Sequence, residues 1–233
     1  PFAGLQGRGA VVSGPWCTII IPTLSDNPPT LKSLPSPEEL EKLGIELVVS
    51  KDMGWRNASR TRNMGAATAK GEVLCFIDDD ASLDFERLLR LLEDVRRDRE
   101  FFVWHDPPHL LVVEAGAFFR AGGYDERFRP TMGETVELRL RLRSMGLREL
   151  PFAPEMINLH HLKEHPDPRY LLNQKHLTWT YLQYRTYPLW RLVWRKNPLE
   201  VARRIKWVLE WFLYRRYQKR SILSTARADV PSK

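Results

Sequence analysis

The sequence predicts an α/β fold built around a mostly parallel central sheet, because three apolar runs alternate with segments of helical character. The runs at residues 17–22, 45–49 and Val73–Ile77 are rich in isoleucine, valine and leucine, as buried parallel strands are. Residues 58–70 are rich in alanine, and residues 83–97 place leucines at helical spacing among charged residues. Strand and helix therefore alternate along the chain, which favours parallel strands joined by helices.

The composition is that of a folded protein with an excess of positive charge. Of the 233 residues, 43% are hydrophobic and 28% are charged, which excludes a wholly disordered chain. This length suits one main domain with an appendage. The net charge of +7 favours an anionic partner such as nucleic acid, an acidic lipid surface or a phosphorylated substrate. Cys17 and Cys75 lie inside apolar runs, where buried packing in a reducing compartment is the simplest interpretation.

The second half of the chain begins with a further strand and a further helix. Residues 110–119 have the character of a strand, and Gly122 and Gly123 predict a turn after it. Leucine and arginine alternate over Glu134–Ser144, which we interpret as a helix because Gly146 follows it as a closing residue.

A change of composition divides the chain near residue 165. Residues 164–169 contain two prolines and mixed charges, which indicate a linker. We therefore expect a main domain over residues 1–165 and a helical segment over residues 166–233. Residues 1–16 lack the pattern of a signal peptide and are interpreted as an extension or a tag remnant.

Three consecutive carboxylates follow the third apolar run. Asp78, Asp79 and Asp80 would lie at the carboxyl end of a strand, where open α/β sheets bind their ligands. Three adjacent carboxylates repel one another, and a hard divalent cation such as Mg²⁺ or Mn²⁺ would relieve that repulsion and accept diphosphate oxygens. The structural alternative is a solvated acidic turn before the next helix, with Ser82 or Asp84 as its N-cap.

The acidic triplet belongs to a set of four segments in a particular order. Residues 17–23 read CTIIIPT, residues 60–81 read RTRNMGAATAKGEVLCFIDDDA, residues 121–128 read AGGYDERF, and residues 133–146 read GETVELRLRLRSMG. In this order they resemble the first strand, the Arg-Asn-x-Gly helix with the DXD strand, the acceptor-side turn and the Glu-Asp helix of the family-2 glycosyltransferases. The resemblance implies a Rossmann-like GT-A domain that moves a sugar from a nucleotide diphosphate to a hydroxyl group, with inversion expected.

The resemblance also implies which residues bind the nucleotide sugar and the metal. The residues expected at the nucleotide sugar are Pro22, Thr23, Arg62, Asn63, Asp78 and Asp79. Of these, Arg62 would lie near the nucleotide, where a planar guanidinium suits phosphate oxygens. The expected ligands of Mn²⁺ or Mg²⁺ are Asp80, Asp78 and His160, and the imidazole favours Mn²⁺.

Two positions depart from the family pattern at the nucleotide base. Ser50 and Asp52 occupy the region where many relatives have a pair of aspartates, the first of which recognises uracil. Ser50 can form hydrogen bonds but carries no charge, so either Asp52 substitutes or the base is not uracil. The donor therefore stays open among UDP-, GDP- and dTDP-sugars.

A third departure concerns the general base. In inverting relatives an aspartate of the Glu-Asp pair accepts the proton of the acceptor, and the matching residue here is Thr135, which cannot act as a base. We prefer Glu134, one position away, as the base. Glu137, one helical turn further on, and Asp125 or Glu126 in the preceding turn are the alternatives.

The carboxyl-terminal segment combines tryptophans with basic residues. Its four tryptophans at helical spacing are Trp190, Trp194, Trp207 and Trp211. We expect amphipathic helices in the plane of an anionic membrane, a peripheral protein at its cytoplasmic face and an acceptor that could be lipid-linked. The alternative is that the tryptophans pack on the main domain and the arginines form a solvated face. No apolar run in the sequence is long enough to span a bilayer.

Two other functions compete with glycosyl transfer. A sugar-phosphate nucleotidyltransferase also needs acidic metal ligands, but it usually has a glycine-rich loop after its first strand, and residues 21–27 contain no glycine. The basic and aromatic tail would also suit a nucleic-acid-binding or membrane-binding module without catalysis. Nucleic acid is not expected as a partner, because the acidic triplet would repel a phosphodiester.

Overall fold

A computed structural model describes residues 14–104, 110–128, 134–150, 157–159 and 198–213, and the structural statements below concern these residues. Eight strands and six α-helices lie within them. The strands are β1 (Cys17–Thr23), β2 (Ile45–Lys51), β3 (Val73–Ile77), β4 (Ala81–Leu83), β5 (Phe101–Trp104), β6 (Leu110–Glu114), β7 (Arg148–Leu150) and β8 (Ile157–Leu159). The helices are α1 (Pro37–Lys42), α2 (Ala58–Thr68), α3 (Phe85–Arg97), α4 (Ala115–Ala121), α5 (Glu134–Ser144) and α6 (Pro198–Leu213), with a short 3₁₀ helix at Pro29–Ser33.

Six strands form the central sheet in the order β2-β1-β3-β6-β5-β7. Strand β1 pairs in parallel with both β2 and β3, with Cys17 opposite Ile45 on one side and Val73 on the other. Strand β6 runs antiparallel to its neighbours β3 and β5, and β5 is parallel to β7. The mostly parallel α/β sheet predicted from the sequence is therefore confirmed, with one reversed strand. Strands β4 and β8 form a separate antiparallel pair.

Each face of the sheet is covered by its own apolar cluster, because successive residues of a strand point to opposite faces. On β1, Ile19 and Ile21 join the cluster that contains Leu88 and Leu92 of α3. Ile20 joins the other cluster, which includes residues of α4 and α5 such as Phe118 and Leu138. The sheet is thus buried on both sides, as its near-continuous apolar strands require.

The amino-terminal boundary of this core lies one residue earlier than the sequence suggested. We placed Trp16 in the extension, but its side chain packs in the cluster beneath α3. Its indole N–H donates to the carbonyl oxygen of Leu43 at 2.7 Å, and its backbone joins Gly44 and Val73. The predicted domain boundary near residue 165 lies outside the described residues.

Three predicted elements have different ends in the structure. The strand expected over residues 110–119 ends at Glu114, whose carboxylate accepts a hydrogen bond from the backbone N–H of Ala117 and so begins α4. The helix expected over residues 83–97 begins only at Phe85, because Leu83 belongs to β4 and Asp84 is the N-cap, accepting from the N–H of Arg87 at 3.2 Å.

The third revised element is the alanine-rich helix α2, which ends at Thr68, before Gly71. Gly71 lies beyond the end of this helix and permits a close backbone approach. A β-carbon there would lie 2.4 Å from the carbonyl carbon of Cys17, so glycine permits the chain to cross close to β1.

Candidate active site

The carboxyl ends of β1, β2 and β3 meet at one edge of the sheet, as parallel strands must. The Thr23 hydroxyl donates to Oδ2 of Asp79 at 2.5 Å, which ties the end of β1 to the aspartate turn after β3. The backbone N–H of Asp52 donates to the carbonyl oxygen of Thr23 at 2.8 Å and brings the end of β2 to the same place. The structure therefore brings together Thr23, Asp52 and Asp78 to Asp80, which the sequence had placed together.

The turn that carries the aspartates is also held from the 3₁₀ helix. The Thr30 hydroxyl donates to the carbonyl oxygen of Asp78 at 2.7 Å, and the Thr30 N–H donates to that of Asp79 at 3.2 Å. Thr30 is fully buried. Sequence reasoning missed Thr30, since a threonine after two prolines in a loop carries no signal of a contact with residues nearly fifty positions away.

A buried guanidinium links this edge to α5. Arg62, on α2, donates through Nη2 to Oδ1 of Asp78 at 2.7 Å and through Nη1 to Oε1 of Glu134 at 2.9 Å. Its carbon Cζ lies 5.1 Å from the ring centre of Tyr124, within the range of a cation–π contact. Burial alone would lower the pKa of Arg62, but the negative charges of Asp78 and Glu134 outweigh it and raise the pKa further. The guanidinium therefore stays charged.

Glu134 is the first residue of α5, and its carboxylate is almost wholly buried. Oxygen Oε1 is held by Arg62, while Oε2 has no hydrogen-bonding partner among the described residues. A buried carboxylate oxygen without a donor is costly, so this oxygen is available to a donor from beyond the described residues, such as a substrate hydroxyl. Thr135, which occupies the family's usual base position, is also buried in the first turn of the helix.

Two of the three alternative bases, Glu137 and Asp125, are engaged with arginines. Both oxygens of Glu137 accept from Arg141 on the next turn, and burial raises the pKa of Glu137 although Arg141 opposes this. Asp125 accepts from Nε of Arg127 at 2.8 Å through each oxygen. Burial would raise the pKa of Asp125, but the hydrogen bonds and charge of Arg127 hold it below its ordinary value. Among these carboxylates, Glu134 is therefore the best placed to accept a proton from a substrate.

Two asparagines of the α2 region form hydrogen bonds with the turn at residues 121–128. Asn63 accepts from the N–H of Tyr124 at 2.8 Å and donates to the carbonyl oxygen of Tyr124 at 2.9 Å and to Oε1 of Glu126 at 3.0 Å. Asn57, the N-cap of α2, donates to the carbonyl oxygen of Glu126 at 2.8 Å. The Arg-Asn pair therefore joins the strand edge to the turn, and the binding role expected of Asn63 at the nucleotide sugar stays a prediction.

Ser50 and Asp52 are both committed to contacts within the chain. The Ser50 hydroxyl is buried and donates to the carbonyl oxygen of Thr61 at 2.6 Å. Asp52 accepts from the backbone N–H groups of residues 54, 56 and 57 and from the Thr61 hydroxyl. Burial would raise the pKa of Asp52, but these hydrogen bonds, led by that of Asn57, lower it. In the structure both side chains shape the loop after β2.

The donor set at the strand edge fits a hard divalent cation that shares its coordination with a substrate. Asp78 and Asp80 supply carboxylate oxygens, the ligand type that Mg²⁺ and Mn²⁺ prefer. Within the described ranges no cluster of three or more possible side-chain ligands occurs. One or two carboxylates are nevertheless sufficient where phosphate oxygens and water complete the shell. The predicted ligand His160 lies outside the described residues.

The first part of the chain is similar in sequence to a known family of enzymes. Residues 19–109 match the model of the family described as Glycosyl transferase family 2. This match includes β1 to β3, Arg62 and the three aspartates, but not Glu134, and spans less than half of the chain. No curated protein sequence matches the chain.

Two solved structures share the fold of this chain. The mannosyltransferase PcManGT from Pyrobaculum calidifontis, crystallised with GDP-Man and Mn²⁺, aligns with a TM-score of 0.52 and 14% identity, over 92% of this chain and 74% of that chain. A structure of GalNAc-T7 with UDP, GalNAc and Mn²⁺ aligns with a TM-score of 0.54 and 14% identity, over 88% of this chain and 58% of that one.

At this identity the likeness is one of fold, and it agrees with the order of the sequence motifs. The predicted GT-A fold and the resemblance to the family-2 glycosyltransferases are thus confirmed.

Proposed function

We propose that the protein transfers a hexosyl group from a nucleotide diphosphate to a hydroxyl group of an acceptor. One observation carries this proposal: Arg62 joins the aspartate edge, where nucleotide sugars bind in this fold, to a buried glutamate. One oxygen of that glutamate has no partner in the part of the chain that the structure describes. The two ends of a transfer reaction, a site for the leaving diphosphate and a base for the acceptor, are thereby held by one side chain.

The chain's own residues supply the acceptor half of the reaction. Oε2 of Glu134 accepts the proton of the acceptor hydroxyl as its oxygen attacks the anomeric carbon. The bond from that carbon to the diphosphate oxygen breaks, and the nucleoside diphosphate leaves with the bonding electrons. Attack from the face opposite the leaving group inverts the anomeric configuration.

The donor half requires neutralisation of the leaving charge. Asp80 and Asp78 would hold Mn²⁺ or Mg²⁺, which neutralises charge on the diphosphate when bound. Thr23 and Thr30 hold the backbone and side chains of the aspartate turn in place. Both glycosyltransferase structures compared above contain Mn²⁺, which supports manganese as the first cation to test.

The test is release of nucleoside diphosphate from a panel of UDP-, GDP- and dTDP-sugars with Mn²⁺. We expect Glu134→Gln to lower the turnover by about 10² to 10⁴-fold while donor binding is kept, because a general base contributes that much. Asp80→Ala should weaken the manganese-assisted affinity for the nucleotide, measured by calorimetry. Glu86→Gln, on an exposed position of α3, is the matched control. Turnover by Glu134→Gln at the normal rate would remove Glu134 as the base.

A thermal-shift screen of nucleotides with and without Mn²⁺ would identify the base of the donor. The ligand that binds raises the unfolding temperature by mass action. If no nucleotide shifts the unfolding temperature and no sugar nucleotide is turned over, the protein is a binding module and not a transferase.

We further propose that the carboxyl-terminal segment binds an anionic membrane surface at the cytoplasmic face, which would bring the site to a lipid-linked acceptor. On α6, Ile205 and Leu209 lie four positions apart and are both more than half exposed, while Trp207 is buried. An apolar stripe beside basic residues supports interfacial binding, whereas the burial of Trp207 supports packing for that tryptophan. No described helix has both the length and the apolar character needed to cross a bilayer.

Sedimentation with vesicles tests the membrane proposal. At low salt, vesicles with anionic lipid should retain the protein, and substitution of Ile205 and Leu209 by serine should reduce the retained fraction. Vesicles of neutral lipid are the control. Failure of the anionic vesicles to retain the unsubstituted protein would remove the main support for a lipid-linked acceptor.

A further inference from the structure

We propose that Arg62 is a positioning residue that holds the glutamate base and the first aspartate in register, and that it is not a ligand of the diphosphate. The inference rests on the proposed function and deepens it. It replaces the role that the sequence favoured for Arg62, a guanidinium facing phosphate oxygens, with a role between two halves of one site.

The first argument is that both terminal nitrogens of Arg62 are already committed. Nη1 lies 2.9 Å from Glu134 and Nη2 lies 2.7 Å from Asp78, while the Tyr124 ring lies 5.1 Å from Cζ. Each terminal nitrogen directs one of its two N–H groups at a carboxylate, so a diphosphate bound at either of those positions would displace that carboxylate. Loss of a partner from a buried ion pair leaves an uncompensated charge, which is strongly unfavourable.

The second argument comes from burial. The side chains of Arg62 and Glu134 are only 7% and 5% exposed, whereas that of Asp78 is 24% exposed. The more exposed member, Asp78, lies at the strand edge where the diphosphate and its cation would approach. The guanidinium therefore lies behind Asp78, on the side away from that edge.

The third argument is that this geometry requires arginine. The guanidinium presents several donors in a rigid plane, so it can reach two carboxylates on two different elements at once. A lysine at this position offers a single nitrogen, which cannot occupy the positions of Nη1 and Nη2 together. Without the bond from Nη1, the Glu134 carboxylate could rotate, and Oε2 would no longer be fixed toward the acceptor.

Arg62→Lys and Arg62→Ala separate the two roles. We expect Arg62→Lys to lower kcat by about 10²-fold, the loss that a misplacement of roughly 1 Å can cause. The affinity for nucleoside diphosphate with Mn²⁺, measured by calorimetry, should be kept, because no phosphate contact is lost. Added guanidinium ion should restore part of kcat in Arg62→Ala and none in Glu134→Gln.

Arg139→Lys is the matched control. Arg139 also pairs with a carboxylate, Glu149, through two nitrogens and lies over an aromatic ring, that of Trp104, at 4.0 Å. It is not part of the candidate site. Arg139→Lys should therefore show any general loss of stability from an arginine-to-lysine change without the loss of kcat. Where Arg62→Ala does not fold, Arg62→Lys carries the test, since lysine keeps the positive charge.

Each result distinguishes the inference from the proposed function. If Arg62→Lys keeps kcat but loses nucleoside diphosphate affinity, Arg62 is a phosphate ligand and the inference is wrong. If Arg62→Lys keeps both kcat and the affinity for nucleoside diphosphate, the inference is wrong as well. If the unsubstituted protein shows no transfer and no nucleotide binding, the proposed function fails and the inference fails with it. Loss of kcat with retained affinity and rescue by guanidinium supports the inference.

Discussion

A methyl group added at Gly65 should push α2 away from the sheet and disturb the site that this helix carries. A β-carbon there would lie 2.5 Å from Cγ2 of Ile20 and 3.1 Å from Cβ of Ser50. Ordinary contact begins at 3.4 Å, so the helix or Ile20 must move by 3.4 − 2.5, or about 0.9 Å. Ile20 is fully buried in the core and has little room to move.

The expected cost combines two opposing effects. Overpacking of a buried contact costs about 1–3 kcal/mol. Alanine in place of glycine in a helix returns up to about 1 kcal/mol. Gly116→Ala is the reference for the first effect, since Gly116 is also helical. Its β-carbon would meet only the ends of two side chains, the Glu114 carboxylate at 2.8 Å and the Arg120 guanidinium at 3.0 Å, and no core side chain. Gly65→Ala should therefore be less stable than Gly116→Ala by about 1–3 kcal/mol.

Urea unfolding of the two variants measures this difference, with the slope checked for equality. Because Arg62 lies one turn before Gly65, the same displacement should lower kcat by up to about 10²-fold, whereas Gly116→Ala should keep kcat. If Gly65→Ala is at least as stable as Gly116→Ala, the argument that α2 must approach β1 and β2 this closely is refuted.

Three further predictions concern the contacts around the site. Asn63→Ala should cost about 1–3 kcal/mol for each buried backbone group left without a partner, measured by urea unfolding against the exposed control Asn27→Ala. The pKa of Asp52 in the folded protein lies below its ordinary 3.8, so its stabilising contribution is present above pH 3.8 and is lost as the pH falls through the folded pKa. Asp52→Asn should therefore reduce the loss of unfolding free energy at acid pH, measured by unfolding at a series of pH values. Arg141→Met should cost about 3–5 kcal/mol by leaving the buried Glu137 without its partner, and Glu137→Gln in the same background should recover part of the loss.

The parts of the fold that the sequence predicted are those set by local pattern. Apolar runs located β1, β2 and β3 within a residue or two, and the glycine after α5 closed that helix as expected. The antiparallel direction of β6 was not predicted, because a buried strand has the same apolar sequence pattern whether its neighbours are parallel or antiparallel. The end of β6 was also missed, since the capping role of Glu114 depends on the direction of its side chain.

For the site, the sequence located the aspartates and the Arg-Asn pair but not the partners of Arg62. Arg62 and Glu134 are 72 positions apart, and no local pattern signals a contact at that separation. The ion pair between Glu137 and Arg141, by contrast, could have been predicted, because residues four apart on a helix lie on the same face. The choice of Glu134 over Glu137 stays a prediction. It is favoured because Oε2 of Glu134 has no partner among the described residues, whereas both oxygens of Glu137 accept from Arg141.

The burial of the two cysteines makes it possible to label the candidate site with a single fluorophore. Cys17 and Cys75 are the only thiols of the chain, both are buried, and burial raises the pKa of each thiol well above its ordinary value. Neither should react with a maleimide dye in the folded protein. Met53, in the loop after β2, is 73% exposed, so Met53→Cys would accept a single fluorophore beside the mouth of the site and report nucleotide binding without further engineering.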